Sequence, residues 1–127
     1  MTLRRILPFG HQEHEDTVVS AIRSIAEGRG YNVLDEYKAA GGFTPDIVFQ
    51  KGDMTCLVEV KNQVYTTDID QLMIFAKRLA DQFPSRHTRL IMASKGLVSP
   101  SVKDIAAEGN IDLFVGWDQA TISSILT

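Results

Sequence analysis

Asp46, Glu59 and Lys61 fall within one short stretch, Pro45-Asp46-Ile-Val-Phe-Gln-Lys-Gly-Asp-Met-Thr-Cys-Leu-Val-Glu59-Val60-Lys61. In a strand, side chains two apart share a face. Glu59 and Lys61 therefore point the same way, and Val58 and Val60 turn into a core. Lys51-Gly52-Asp53 is a hairpin turn signal. Antiparallel pairing through that turn sets Asp46 near Glu59 to Lys61, so two carboxylates and an amine converge at one sheet edge. The set suits phosphodiester hydrolysis. Mg²⁺ (or Mn²⁺) takes oxygen ligands and binds through few carboxylates, keeping waters and substrate phosphate. Such an ion activates water and neutralises charge building on phosphate. Asp46 and Glu59 are the candidate ligands, and the backbone carbonyl of Val60 can add a third. Lys61 can orient the attacking water or stabilise the transition-state charge. An isolated Glu-x-Lys usually marks a solvent-facing ion pair. Here Glu59 interrupts an apolar strand and an acid opens the paired strand, which favours the functional reading.

The flanking periodicities predict the elements that carry these residues. Residues 12 to 28 read as a helix with an apolar stripe of Val18, Val19, Ile22, Ile25 and Ala26. Its first turn is acidic, and Gly28 and Gly30 end it. Strands are expected at 31–37, at 46–49 and at 55–61, the last two forming the hairpin. A second helix is expected at 67–83, stopped by Pro84. A strand at 89–93 follows, then a third helix with Ser99 as N-cap and Pro100 at its first position, ending near Gly109. Residues 111 to 115 read as a last strand, before a terminal helical turn. The order α-β-β-β-α-β-α-β favours an α/β fold, with a mixed central sheet of about four or five strands flanked by helices.

A length of 127 residues points to one domain, with residues 1–11 as a loosely held arm. Cys56 is the lone cysteine, so no internal disulfide forms and a reducing cytoplasm is the default. The apolar start is too short for a signal peptide, and no run is long enough to cross a bilayer. The net charge of −3 counts against binding nucleic acid through bulk positive charge. Lys77, Arg78, Arg86 and Arg89 make a local basic cluster that reads equally as a solvated face.

Pro45-Asp46, the spacing to Glu59 and the run Glu59-Val60-Lys61 resemble the PD-(D/E)xK nuclease signature. The segment from Ile69 to Arg78 resembles the helix after that motif in archaeal Holliday-junction resolvases and Mrr-like restriction endonucleases. Leu90 to Ser94 and Ser99 to Asp112 resemble the Mrr-like ending. The resemblance covers roughly residues 12 to 116 and implies a restriction-endonuclease-like three-layer fold. It implies metal-dependent cleavage of nucleic acid, DNA foremost. A chain as short as 127 residues is expected to work as a homodimer or as a subunit of a larger assembly. It also implies an acid on the first helix that completes the metal site. Glu15 matches best, sharing the stripe of Val18 and Ile22, and Glu13 is the reserve. A plain first-turn acid serving the helix dipole is an equal reading of Glu15. Gly41 and Gly42 correspond to a substrate-facing loop, where glycine lets backbone approach phosphate closely. Gln63, on the face of Glu59 and Lys61, and Gln71, opening the second helix, are weaker candidates for contact with nucleic acid, and a surface glutamine is the commoner role for each.

Two rivals stand beside this reading: a structure-selective junction resolvase, which should present a strongly basic face, and a nuclease fold kept as a non-catalytic binding or regulatory module. RNA is a third possibility as substrate. His11, His14 and Glu15 lack a recognised zinc spacing. Cys56 alternates away from Glu59 and reads as core, and Phe114 and Trp117 read as packing groups.

Overall fold

The computed structural model describes residues 11–34, 45–82 and 87–126, without the side chains of 11–14. The helix α1, His11–Gly28, forms where the stripe predicts it. Val18, Ile22 and Ala26, each one turn from the next, are buried against the sheet. Gly30 turns the chain out of α1 with φ 88°. Its N–H bonds the Glu27 carbonyl, and the Tyr31 N–H reaches the Ala26 carbonyl, a Schellman closure that favours glycine at this position.

Five strands follow the predicted order. They are β1 (Asn32–Val33), β2 (Ile47–Lys51), β3 (Met54–Lys61), β4 (His87–Ser94) and β5 (Ile111–Val115). Between them lie α2 (Thr66–Gln82), α3 (Pro100–Glu108) and, after β5, α4 (Gln119–Ser124). The sheet order is β1-β2-β3-β4-β5. The pairs β1–β2 and β2–β3 are antiparallel, and β3–β4 and β4–β5 are parallel. The central strand β3 thus joins a hairpin to two strand-helix-strand units, and the sheet is mixed.

Two apolar cores fill the two faces. Val58 and Val60 pack with the stripe of α1 and with Ile122 and Ile125 at the chain end. Leu57, on the opposite face, packs with Ile69, Leu72 and Phe75 of α2 and with Val102 and Ala106 of α3. Alternation along a strand buried on both sides produces this division. Among the described residues no helix is long and apolar enough to cross a membrane.

Several boundaries differ from the sequence expectation, most by one or two residues. The strand expected from residue 31 is described only at Asn32–Val33, and residues 35–44, with Gly41 and Gly42, lie outside the described residues. So do Phe83, Pro84 and the N-terminal arm up to residue 10. Asp46 precedes β2 instead of opening it, because its N–H bonds a side-chain carboxylate and not the ladder.

The hairpin turn has two residues, Gly52 and Asp53, between paired Lys51 and Met54. Gly52 has φ 63°, a sign that hairpin turns of this length require and that glycine adopts at little cost. Asn110, φ 56°, performs the left-handed step between α3 and β5, while Gly109 stays at φ −87°. Ser99 caps α3, its Oγ accepting from the Val102 N–H at 3.2 Å, with Pro100 next. Ser99→Ala is expected to lower unfolding free energy by about 1 kcal/mol in a denaturant titration, since one N-terminal donor loses its partner.

Candidate active site

Pairing of Ile47 with Val58 sets Asp46 opposite Glu59, at the end of the hairpin far from its turn. The two acids are interlocked. The Asp46 N–H donates to Glu59 Oε1 at 3.0 Å, and the Val60 N–H donates to Asp46 Oδ2 at 2.8 Å. A strand residue's N–H and C=O leave the backbone on the same side. The Val60 carbonyl therefore also faces the Asp46 side, just past the first paired residue of β2.

Asp46 is exposed, whereas Glu59 is 5% exposed, the only buried carboxylate among the described residues. Burial, and then the adjacent charge of Asp46, push the Glu59 carboxyl up to about 8. The Asp46 N–H and Lys61 oppose this without cancelling it. A carboxylate forced into an apolar sheet beside another carboxylate is short of positive charge. Lys61 supplies part of it, with Nζ 3.9 Å from Glu59 Oε2. The same Nζ lies 3.8 Å from Oδ1 of Asp68, in the first turn of α2. Sequence reading missed Asp68. Its signal was an acid three residues after Tyr65 at a helix start, where a carboxylate accepts from the N-cap N–H. Asp68 Oδ2 makes that bond, to the Tyr65 N–H at 2.8 Å.

Glu15 reaches the same end of β3 from the other face. Its Oε2 accepts from the backbone N–H of Asn62 at 2.9 Å and from Asn62 Nδ2 at 3.1 Å. Among the described residues no three His, Cys, Asp or Glu side chains gather as a metal cluster, so Glu15 does not complete a trio with Asp46 and Glu59. Alternation is the reason: α1 packs on the face of Val58 and Val60, while Glu59 and Lys61 stand on the face of Leu57. Glu13 lies outside the described side chains. Glu15→Ala is expected to cost about 1–2 kcal/mol in chemical denaturation, because a charge-assisted bond at the strand end is lost.

The outer candidates are spread more widely. Gln63 is exposed and donates through Nε2 to the Leu97 carbonyl at 3.3 Å, tying the loop after β3 to the loop after β4. Gln71 is exposed on α2, one turn beyond Asp68. The basic cluster does not gather at the site: Arg89 Nε bonds Asp112 of β5 at 2.7 Å, and Lys77 and Arg78 lie exposed on α2. Arg86 lies outside the described residues. Cys56 is buried in the α1-side core, and burial pushes its thiol up, away from nucleophilic use. Phe114 and Trp117 pack against that core, with Lys95 Nζ 5.9 Å from the Trp117 ring centroid.

The site offers hard oxygen donors, an excess of negative charge and an ammonium at its rim. These fit an octahedral divalent ion that keeps several waters, as Mg²⁺ does.

No protein-family model matches this sequence, and no curated protein does. Among solved structures the chain is similar to the crystal structure of a repair endonuclease from Pyrococcus abyssi, with TM-score 0.62 and 13% identity. The likeness covers 85% of this chain and 48% of that one, so this chain spans about half the length of that neighbour. A mixed five-stranded sheet, with α1 and α4 on one face and α2 and α3 on the other, gives this chain the restriction-endonuclease-like α/β fold.

Proposed function

We propose that this chain is a Mg²⁺- or Mn²⁺-dependent endonuclease of the PD-(D/E)xK type that hydrolyses phosphodiester bonds of DNA. The interlock of Asp46 with Glu59 and Val60, beside Lys61, carries this reading. Asp46, Glu59 and the Val60 carbonyl would hold the ion. When bound, the ion supplies Lewis-acid stabilisation of phosphate charge and activates water for attack. The Val60 N–H fixes one Asp46 oxygen and leaves the other to bind. Glu59, once deprotonated, gives a second anionic donor from a buried position, with one oxygen held by the Asp46 N–H. The Lys61 ammonium, partly exposed at the rim, orients the incoming water and meets the charge that builds on the phosphate. Glu15 holds Asn62 and so fixes the strand end that follows Lys61. Gln63 and Gln71, with Gly41 and Gly42, would contact the nucleic acid. The protein acts in the cytoplasm as a homodimer, which sets two centres against two strands.

The test is cleavage by purified protein of linear duplex, supercoiled plasmid, single strands, four-way junctions and RNA, with Mg²⁺, Mn²⁺ or EDTA. Metal-dependent cutting of duplex supports the reading. Preference for four-way junctions would move it to a resolvase, and preference for RNA would change the substrate. No cutting, with no heat of Mn²⁺ binding in calorimetry, would leave a binding module on a nuclease fold.

A further inference from the structure

Lys61 stands between two carboxylates, and only one of them belongs to the metal-holding pair. Glu59 Oε2 is 3.9 Å from its Nζ, and Asp68 Oδ1 is 3.8 Å away. The Asp68 side chain is largely buried, at 13% exposed. Its other oxygen is already held by the Tyr65 N–H at 2.8 Å, in the half-capping box that starts α2. Asp68 is thus a fixed anion, with one oxygen committed to backbone and one turned to the ammonium.

We propose that Asp68 is the positioning residue for Lys61, holding its ammonium at the rim of the centre while Glu59 serves as a donor to the ion. This rests on the nuclease reading above. A divalent ion on Glu59 would compete with Lys61 for the same carboxylate and would repel the ammonium by its own charge. The hold from Glu59 therefore weakens in the state that must react. Asp68 sits outside the Asp46–Glu59 pair and keeps its charge for Lys61 in that state. A four-carbon side chain with many rotamers needs such an anchor if it is to meet water or phosphate reproducibly.

Asp68→Asn separates positioning from capping. Asparagine keeps an oxygen for the Tyr65 N–H and loses the charge that holds Lys61. The expected result is a fall in kcat of about ten- to a hundredfold, with KM and Mn²⁺ affinity nearly unchanged. Asp68→Glu should recover part of the loss. In a Lys61→Ala background, Asp68→Asn should have no further effect, because the group it positions is gone. By NMR, the Lys61 Nζ–H₃⁺ signal should be observable in the wild type and broadened by fast exchange in Asp68→Asn.

A full additive loss in the Lys61→Ala background, or weaker Mn²⁺ binding in Asp68→Asn, would overturn the proposal and make Asp68 a ligand in its own right. Unchanged kcat together with an unchanged ammonium signal would also overturn it. If the wild type cuts no substrate, the nuclease reading falls, and the ammonium signal alone decides whether Asp68 holds Lys61.

Discussion

Asp46→Asn is expected to lower metal-dependent cleavage by about a thousandfold while the chain stays folded. Losing one anionic ligand removes several kcal/mol of electrostatic stabilisation, and about 4 kcal/mol is a thousandfold in rate. The amide oxygen can still accept the Val60 N–H that Asp46 Oδ2 now accepts at 2.8 Å. Fold and charge are thereby separated in one substitution. Lys61→Ala should cost about a hundred- to a thousandfold, the scale of losing one preorganised transition-state donor. Single-turnover rates at saturating Mn²⁺, with far-ultraviolet circular dichroism on each variant, make the measurement. Cleavage by Asp46→Asn within tenfold of the wild type would place the metal elsewhere and sink the proposed mechanism.

In the presence of EDTA, the protein is expected to lose stability as pH rises from about 5 to about 8. Glu59 moves from an ordinary 4.5 to about 8 through burial and the charge of Asp46. Between those values the folded chain keeps a proton that the unfolded chain has released. Unfolding then releases a proton, so higher pH favours the unfolded state. The stabilisation is full below pH 4.5 and is lost as pH rises through 8. The size is on the order of 2 kcal/mol after discounting for relaxation around the pair, and about 5–10 °C in Tm. Glu59→Gln should flatten the slope and stabilise the metal-free protein at pH 8. Mn²⁺ should reverse the loss, and its affinity should rise roughly tenfold per pH unit between pH 6 and 8, because binding must displace the Glu59 proton. A flat Tm profile in EDTA for the wild type would show that Glu59 is ionised throughout and that burial is not costing it charge.

Much of this centre was legible because strand alternation and a short turn are local rules. Glu59, Val60 and Lys61 took their faces from parity alone, and Gly52 with Asp53 marked the reversal that set Asp46 opposite Glu59. Helix boundaries followed equally local marks, such as Ser99-Pro100 before α3. What escaped was contact between elements distant in sequence. Parity does not say that α1 lies on the face opposite Glu59, so it leaves a place beside the acids and a plain first-turn role equally open for Glu15, which holds Asn62. Asp68 escaped because it looks like any first-turn acid until α2 is docked and Lys61 lies 3.8 Å away. The Arg89–Asp112 bond, between two parallel strands joined through α3, dissolved an apparent basic cluster for the same reason.

The hairpin also works as a ruler. Five residue pairs run from the turn at Lys51–Met54 to Ile47–Val58, and the next position brings Asp46 to Glu59. Strand parity makes that count all-or-none. One residue inserted between Asp46 and Lys51, without a bulge to absorb it, would turn Asp46 toward the α1 face. Surface turns usually tolerate changes of length, but here the proposed centre is measured from one. If the proposed chemistry holds, it constrains the length of β2, most of whose residues lie away from the Asp46–Glu59 pair.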